Sequence, residues 1–197
     1  MSRLNLCALL VVIMVSLAAC GSTPPSDYYV LAARASDIPS GDTPSVGVGP
    51  ISSPGYLNRN SRVFNRDGNK LEIATFARWA EPLESGISRV LSLNLASNLN
   101  TEDIQVFPWH PTRAPEYAVG LRLLLLDSTN QRAQLVAEWS LRKGGEDATE
   151  KRRIVRLEKA TGAAGDITPD DVAAAYSELL GELSDIIAQV ITRDMSK

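Results

Sequence analysis

Period-two alternation is clearest in Ala133-Gln134-Leu135-Val136-Ala137-Glu138-Trp139-Ser140-Leu141-Arg142. Apolar side chains fill one face of this segment and polar ones take most of the other. This is typical of a β-strand in a sheet that is covered on one side and wet on the other. Segments 117–126 and 151–158 repeat the period and are separated from this strand by polar loops. We therefore predict an antiparallel meander of three strands.

Two long amphipathic helices are expected on one side of this sheet, at about 83–100 and 169–194. Their apolar residues recur at intervals of three and four, which is the helical period. In the second helix Thr168 can act as the N-cap, Pro169 suits the first position, and Asp170 and Asp171 favour the positive end of the helix dipole. The expected stripes are Leu83, Ile87, Val90, Leu91, Leu95 and Leu99, then Val172, Tyr176, Leu179, Leu180, Leu183, Ile186, Ile187, Val190 and Ile191.

Shorter strands precede and follow the first helix. We predict strands at 28–31, 46–48 and 104–107, and a hairpin of 62–65 with 70–73 around Asp67-Gly68, which is a strong turn signal. Gly47 and Gly49 should face another part of the backbone, and Pro50 should end regular pairing. The fold class is therefore α+β, a single domain with a mostly antiparallel or mixed sheet packed by two helices.

The N-terminus has the three parts of an export signal. Arg3 supplies the positive charge, residues 4–17 are mostly apolar, and the small pair Ala18-Ala19 precedes Cys20. A transmembrane span needs about 20 apolar residues, and this run is shorter. The segment resembles a bacterial lipoprotein signal with its lipobox, which implies cleavage before Cys20 and acylation of its thiol and amine.

The chain then divides into a signal peptide (1–19), a lipidated terminus with a tether (20–27) and one domain (28–197). Two prolines keep the tether extended, and its length of about 20 Å holds the domain close to the leaflet that contains the acyl chains. In enterobacterial lipoproteins an aspartate after the modified cysteine commonly retains the protein in the inner membrane. Gly21 stands at that position, so the resemblance implies an outer-membrane lipoprotein facing the periplasm.

Composition and motifs argue against several other classes. The formal net charge of −3 and the lack of a basic stripe do not favour nucleic acid as a partner. Cys20 would be the only cysteine of the mature chain, so neither a disulfide nor a thiolate metal site is expected. His110 fits a surface loop, and Glu81 and Glu84 fit a helix N-terminus. We therefore expect no enzyme activity, no cofactor and no bound metal.

Several blocks resemble the PqiC family of transport-associated lipoproteins in both order and spacing. They are Tyr28-Tyr29-Val30-Leu31 soon after the lipobox, Val46-Gly47-Val48-Gly49-Pro50, Pro54-Gly55-Tyr56-Leu57-Asn58-Arg59, and Trp79-Ala80-Glu81-Pro82-Leu83 at the start of a helix. The resemblance covers most of the mature chain and is densest from Tyr28 to about Phe107. Segment 62–66 follows the family pattern only loosely.

The resemblance implies a role in intermembrane phospholipid transport that supports membrane integrity. Acylated Cys20 would hold the domain on the inner leaflet of the outer membrane. The domain would dock a periplasmic MCE-domain protein, which forms a conduit and has an inner-membrane partner of its own. A homo-oligomeric ring would match a conduit with rotational symmetry.

Tyr56, Arg59, Arg78 and Trp79 are the candidates for partner binding, because aromatic and arginine side chains are enriched at interface centres. The alternative is that both aromatic residues pack under the loops while both arginines are solvated. A second open alternative concerns function: the chain could be a stand-alone lipoprotein for envelope assembly or peptidoglycan binding.

Overall fold

A computed structural model describes residues 25–34, 37–58, 61–67, 70–145, 148–161 and 167–196. The strands and helices, labelled in chain order, are β1 (Asp27–Tyr29), β2 (Val46–Ser52), β3 (Ser61–Asp67), β4 (Lys70–Trp79), α1 (Leu83–Leu99), β5 (Ile104–Val106), β6 (Tyr117–Ser128), β7 (Arg132–Lys143), β8 (Thr149–Ala160) and α2 (Pro169–Met195). A single 3₁₀ turn, Pro111–Arg113, lies between β5 and β6. The predicted α+β class is confirmed.

The strands form two sheets. The larger sheet has the order β5-β2-β6-β7-β8, and the smaller has the order β1-β4-β3. The meander β6-β7-β8 is antiparallel, as predicted, and each of its strands has 12 residues. On its other edge β2 runs parallel to both β5 and β6, so the larger sheet is mixed.

One face of the larger sheet is buried under the two helices, which also pack on each other. The alternating apolar residues of β7 are all buried, and the side chain of Trp139 is only 1% exposed. The predicted stripe of α1 is buried from Leu83 to Leu95, and Leu99 is partly buried. In α2 the predicted face is buried apart from Ile186 and Val190, which are partly buried. These faces therefore pack in the core of the protein, as predicted.

A capping box begins α2. The hydroxyl of Thr168 accepts a hydrogen bond from the Asp171 backbone N–H at 3.3 Å, and the Asp171 carboxylate accepts one from the Thr168 backbone N–H at 2.9 Å. The Thr168 hydroxyl also donates a hydrogen bond to the Asp171 carboxylate at 2.6 Å. This hydroxyl donor and the Thr168 backbone N–H lower the pKa of Asp171, since both favour its charged form. The predicted cap is confirmed.

The segment after β1 crosses both helices. The backbone N–H of Ala32 donates to Ser177 Oγ of α2 at 3.0 Å, and that of Arg34 donates to Asn94 Oδ1 of α1 at 2.9 Å. The Arg34 guanidinium then pairs with Glu178 at 2.9 Å and Asp185 at 3.1 Å. The acidic residues of α2 therefore fasten an N-terminal segment onto the helix pair.

The structure corrects the prediction for β2. The strand continues past Pro50 to Ser52, because Gly49 at φ 122° and a shift in register let pairing with β6 resume at Ile51. The two glycines of this strand also face side chains and not backbone. A Cβ built on Gly47 would lie 2.7 Å from the Trp109 ring, and one on Gly49 would lie 2.6 Å from Phe107 Cβ.

The predicted boundaries of other elements differ from the structure as well. Strand β4 extends to Trp79, well beyond the predicted 70–73, and Pro82 is the N-cap of α1 and lies outside its first turn. The predicted turn residue Gly68 lies outside the described residues. Among the residues that are described, no helix combines the length and apolar character required to cross a membrane.

Candidate functional site

Two of the predicted docking residues lie in segments next to the start of α1. Tyr56 lies in the turn after β2, Trp79 is the last residue of β4, and both contact the hydrophobic core. The turn is held against the helix because Ser53 Oγ donates a hydrogen bond to Glu84 Oε1 at 2.8 Å. The hydroxyl also lies 2.7 Å from Asn58 Oδ1. Two segments distant in sequence therefore meet at one end of a helix.

The described docking candidates differ in accessibility. Trp79 is 8% exposed, and its ring stacks on Tyr176 of α2 with 6.4 Å between centroids. Tyr56 is partly buried against the core, whereas Arg78 is exposed. Arg59 and the predicted lipidation site Cys20 lie outside the described residues. Arg78 is thus the most exposed of the described candidates. The partner-binding role of the four residues stays a prediction.

The two carboxylates at this end of the molecule have separate structural partners. Glu81 accepts hydrogen bonds from Arg89 Nε at 3.2 Å and Nη2 at 2.5 Å, while the same Nη2 donates to the Leu31 carbonyl at 2.8 Å. Glu84 accepts from Ser53. Arg89 therefore ties the residues before α1 to the segment after β1, and each carboxylate has a role in holding local structure.

A groove of about 600 Å³ lies along α1, next to the Tyr56 turn. It forms because β5 ends at Val106 while β2 continues to Ser52, which leaves part of the helix uncovered. Most of its surface is apolar, and Ser92 Oγ is buried in its wall without a hydrogen bond among the described residues. The lining residues are Val48, Gly49, Pro50, Ile51, Glu84, Ser85, Ser88, Arg89, Ser92, Leu93, Val106 and Phe107.

This groove was not predicted from the sequence. Its signal is weak: Ser85, Ser88 and Ser92 place small side chains on one face of α1. Serine at helical spacing is also typical of a solvated surface. The groove depends on where the neighbouring strands end, and that information is not local to the helix.

The loop histidine occupies the position predicted for it. His110 is exposed, its Nδ1 lies 2.8 Å from Thr112 Oγ1, and the same atom accepts a hydrogen bond from the Thr112 backbone N–H at 3.3 Å. It caps the 3₁₀ turn. Within the described ranges no group of three or more His, Cys, Asp or Glu side chains is arranged to hold a metal ion.

The largest pKa shift lies near the C-terminus of α2. Asp194 accepts hydrogen bonds from Lys151 at 2.8 Å and pairs with Lys143 at 3.1 Å, and these contacts lower its pKa to about 2. Tyr117 donates to the same carboxylate at 3.3 Å, and burial raises the pKa of its phenol. Since this cluster joins α2 to three strands of the larger sheet, we assign it a structural role.

The family model described as ABC-type transport auxiliary lipoprotein component matches residues 29–188. Among solved structures, one described as an uncharacterized protein has a TM-score of 0.69 and 20% identity, covering 85% of this chain and 99% of its own. Protein XCC0632 from Xanthomonas campestris, described as DUF330, has a TM-score of 0.64 and 13% identity, covering 87% and 98%. These structures share the fold. No curated protein matches the chain significantly.

Proposed function

Because the chain belongs to the family of ABC-type transport auxiliary lipoprotein components, we propose that it is the outer-membrane-anchored subunit of an MCE-type phospholipid transport system. Family membership makes it a component of a transport system and a lipoprotein of the cell envelope. The proposal adds the outer membrane, the MCE-domain partner and the lipid cargo. The single observation that carries it is the family match over residues 29–188, which begins shortly after the predicted signal peptide and Cys20.

Acylation of Cys20 supplies the anchor in this proposal. Each buried methylene contributes about 0.8 kcal/mol, and stable anchoring takes two membrane signals. Two or three acyl chains on one residue therefore suffice without a membrane-spanning segment. Gly21 favours export to the outer membrane by the enterobacterial sorting pattern.

The domain acts as a docking element in this role. It binds the end of the periplasmic MCE-domain conduit, whose inner-membrane partner drives transport, and aligns it with the inner leaflet of the outer membrane. Tyr56, Arg59, Arg78 and Trp79 are the proposed docking residues, and Tyr56 and Trp79 both pack on the hydrophobic core. Several copies arranged as a ring would match a conduit with rotational symmetry.

In-vivo photocrosslinking tests the docking role. A photoreactive amino acid is placed at Tyr56 and, in a second strain, at Ala80, which is exposed beside Trp79. We expect both positions to capture an MCE-domain protein, identified by mass spectrometry. Ile154, which is 66% exposed on the larger sheet, is the matched control position. Capture of an envelope-assembly or peptidoglycan-binding protein at Tyr56 and Ala80 would contradict the proposal.

The anchor is tested separately. Metabolic labelling with a fatty acid should mark the wild-type chain and leave Cys20→Ser unlabelled, and only the wild type should fractionate with outer membranes. A Cys20→Ser variant that diffuses freely in the periplasm and still supports membrane integrity would show that the anchor is dispensable.

A further inference from the structure

The smaller sheet has an outer face that carries exposed aromatic side chains. Tyr28 of β1 is 65% exposed and Phe76 of β4 is 40% exposed. Tyr28 is the direct neighbour of Arg78, because β1 and β4 pair in parallel register. Arg78 is exposed as well, and Val30, just beyond β1, is 56% exposed. Three apolar side chains and one cation therefore share a single surface.

The opposite face of β4 is buried at this end of the strand. Ala77 and Trp79, which alternate with Phe76 and Arg78 along β4, are 5% and 8% exposed. Side chains of a strand point alternately to its two faces. The exposure of Phe76 is therefore a consequence of this alternation along β4. Tyr28 belongs to the same face because it pairs with Arg78.

This surface lies beside the N-terminal residues that lead from the proposed anchor, Cys20, into β1. Asp27 is paired with Ala77, so Phe76 lies beside the residues that lead into β1. Six residue steps separate Cys20 from Ser26, and a fully extended chain covers only about 20 Å in that distance. Once Cys20 is inserted in a bilayer, this edge of the smaller sheet is held within that distance of the lipid surface.

The residue types match the chemistry of a membrane interface. Tyrosine and phenylalanine rings with an apolar body suit the headgroup boundary, and a cation near the surface is attracted to anionic lipid. By contrast, the polar side of α2 carries Glu178, Glu182 and Asp185, which anionic lipid repels. Of these two surfaces, the outer face of the smaller sheet is the one compatible with close approach to the bilayer.

We propose that Tyr28, Val30, Phe76 and Arg78 form a membrane-contact face, which rests on the phospholipid surface and sets the orientation of the anchored domain. The inference rests on the proposed acylation of Cys20. It assigns Arg78 to lipid headgroups and leaves Tyr56 and Trp79 at the start of α1 as the described candidates for the partner. The lipid surface itself is the ligand, so the face needs no cavity.

The experiment uses the full lipidated protein and a single fluorescent label. Acylated Cys20 has no free thiol and Cys7 lies in the leader, so Phe76→Cys offers one site for an NBD probe. The protein is reconstituted in vesicles of phosphatidylethanolamine and phosphatidylglycerol, with or without doxyl-labelled lipid. Ile154→Cys is the matched control, since residue 154 is also exposed but lies on the larger sheet.

We expect the probe at residue 76 to shift to shorter wavelength on reconstitution and to lose most of its intensity with doxyl lipid. The probe at residue 154 should show neither change. A probe at Tyr28→Cys gives an independent second reading of the same face, and thermal melts of the labelled proteins establish that each is folded.

The outcomes separate the two proposals. Wild-type protein that fails to float with vesicles contradicts the anchor. Protein that floats while the probes at residues 76 and 28 remain unquenched contradicts the membrane-contact face and leaves the anchor intact. Equal quenching at residue 154 also overturns the inference, because the domain then has no preferred orientation. Shielding at residue 76 that requires an added MCE-domain protein, and is independent of doxyl lipid, assigns the face to that partner.

Discussion

The two sheets have similar inner faces and different outer faces. Each buries a tryptophan inward, Trp139 in the larger sheet and Trp79 in the smaller. The outer face of the meander carries ion pairs such as Arg122 with Glu138 at 2.9 Å, and its exposed Ile154 pairs in register with Glu138. The outer face of the smaller sheet has two aromatic rings beside one arginine.

This difference distinguishes an ordinary solvent-exposed surface from an interaction surface. A single apolar residue among charges is normal on a soluble protein, whereas neighbouring exposed apolar residues mark an interaction surface. On the meander the exposed apolar residues Leu124 and Ile154 lie on β6 and β8, with β7 between them, so the larger sheet fits the first description. The smaller sheet fits the second. The free energy of unfolding should therefore depend mainly on the inner faces. The outer face of the smaller sheet should instead affect how the domain is oriented on the surface that it contacts.

The severest test of this comparison is Trp139→Ala. Its side chain is 1% exposed at the centre of the helix-covered face, so we expect a loss of about 3–5 kcal/mol in the free energy of unfolding. The control Glu138→Ala, on the outer face of the same strand, removes an exposed ion pair and should cost about 0.2–1 kcal/mol. Urea denaturation measures both. Equal losses would mean that the outer face is also a packed layer.

Gly47→Ala tests a part of the larger sheet where Trp109 and Pro115 of a loop lie against the strand. The added Cβ would lie 2.5 Å from Pro115 Cγ, so the loop must move, at a cost of about 1–3 kcal/mol. Gly55→Ala is the matched control, because no atom lies within 4 Å of its Cβ position. A Gly47→Ala protein as stable as wild type would show that the loop covers the strand only loosely.

Asp194→Asn tests the link between α2 and the sheet through pH. The pKa of Asp194 falls from 3.8 to about 2 on folding, so its stabilisation is complete at neutral pH and is lost as pH falls from about 4 towards 2. We expect the variant to be about 1 kcal/mol less stable at pH 7 and nearly equal to wild type at pH 2. Asp42→Asn, in an exposed loop, is the control for replacing a surface carboxylate by an amide. If the difference in free energy of unfolding between wild type and Asp194→Asn did not change with pH, the effect would come from packing and not from the charge of Asp194.

The smallest effect on stability is expected for Tyr28→Ser. The ring is 65% exposed, and surface substitutions usually change stability by about 0.5 kcal/mol or less. Ile154→Ser should be equally mild, so unfolding alone cannot distinguish the two sheets. The probe at residue 76 in reconstituted vesicles should distinguish them, because only the change at Tyr28 should increase the access of solvent to that probe. A large loss of stability in Tyr28→Ser would place that ring in the core.

Local patterns in the sequence predicted the meander, both helices and the Thr168 cap. Each depends on residue spacing within one element, or on hydrogen bonds within one turn, as in the pair Thr168 and Asp171. The stripe from Leu83 to Leu95 is a case of this kind, since the helical period alone specifies which side chains are buried.

The division into two sheets could not be predicted from such local patterns. Strand β1 pairs with β4 about 50 residues later, and β2 lies between β5 and β6. No local period encodes which strand is the neighbour of which. The groove beside α1 and the exposed face of Tyr28 and Phe76 depend on those pairings, so they became visible only in the structure.

The Arg34 contacts described above have a mechanical consequence. Tension applied to the N-terminal chain reaches β1 first, where only three residues pair with β4. It then meets Leu31, held by Arg89, and Arg34, held by two carboxylates of α2. These contacts therefore pass the load to both helices before it reaches the strands of the larger sheet.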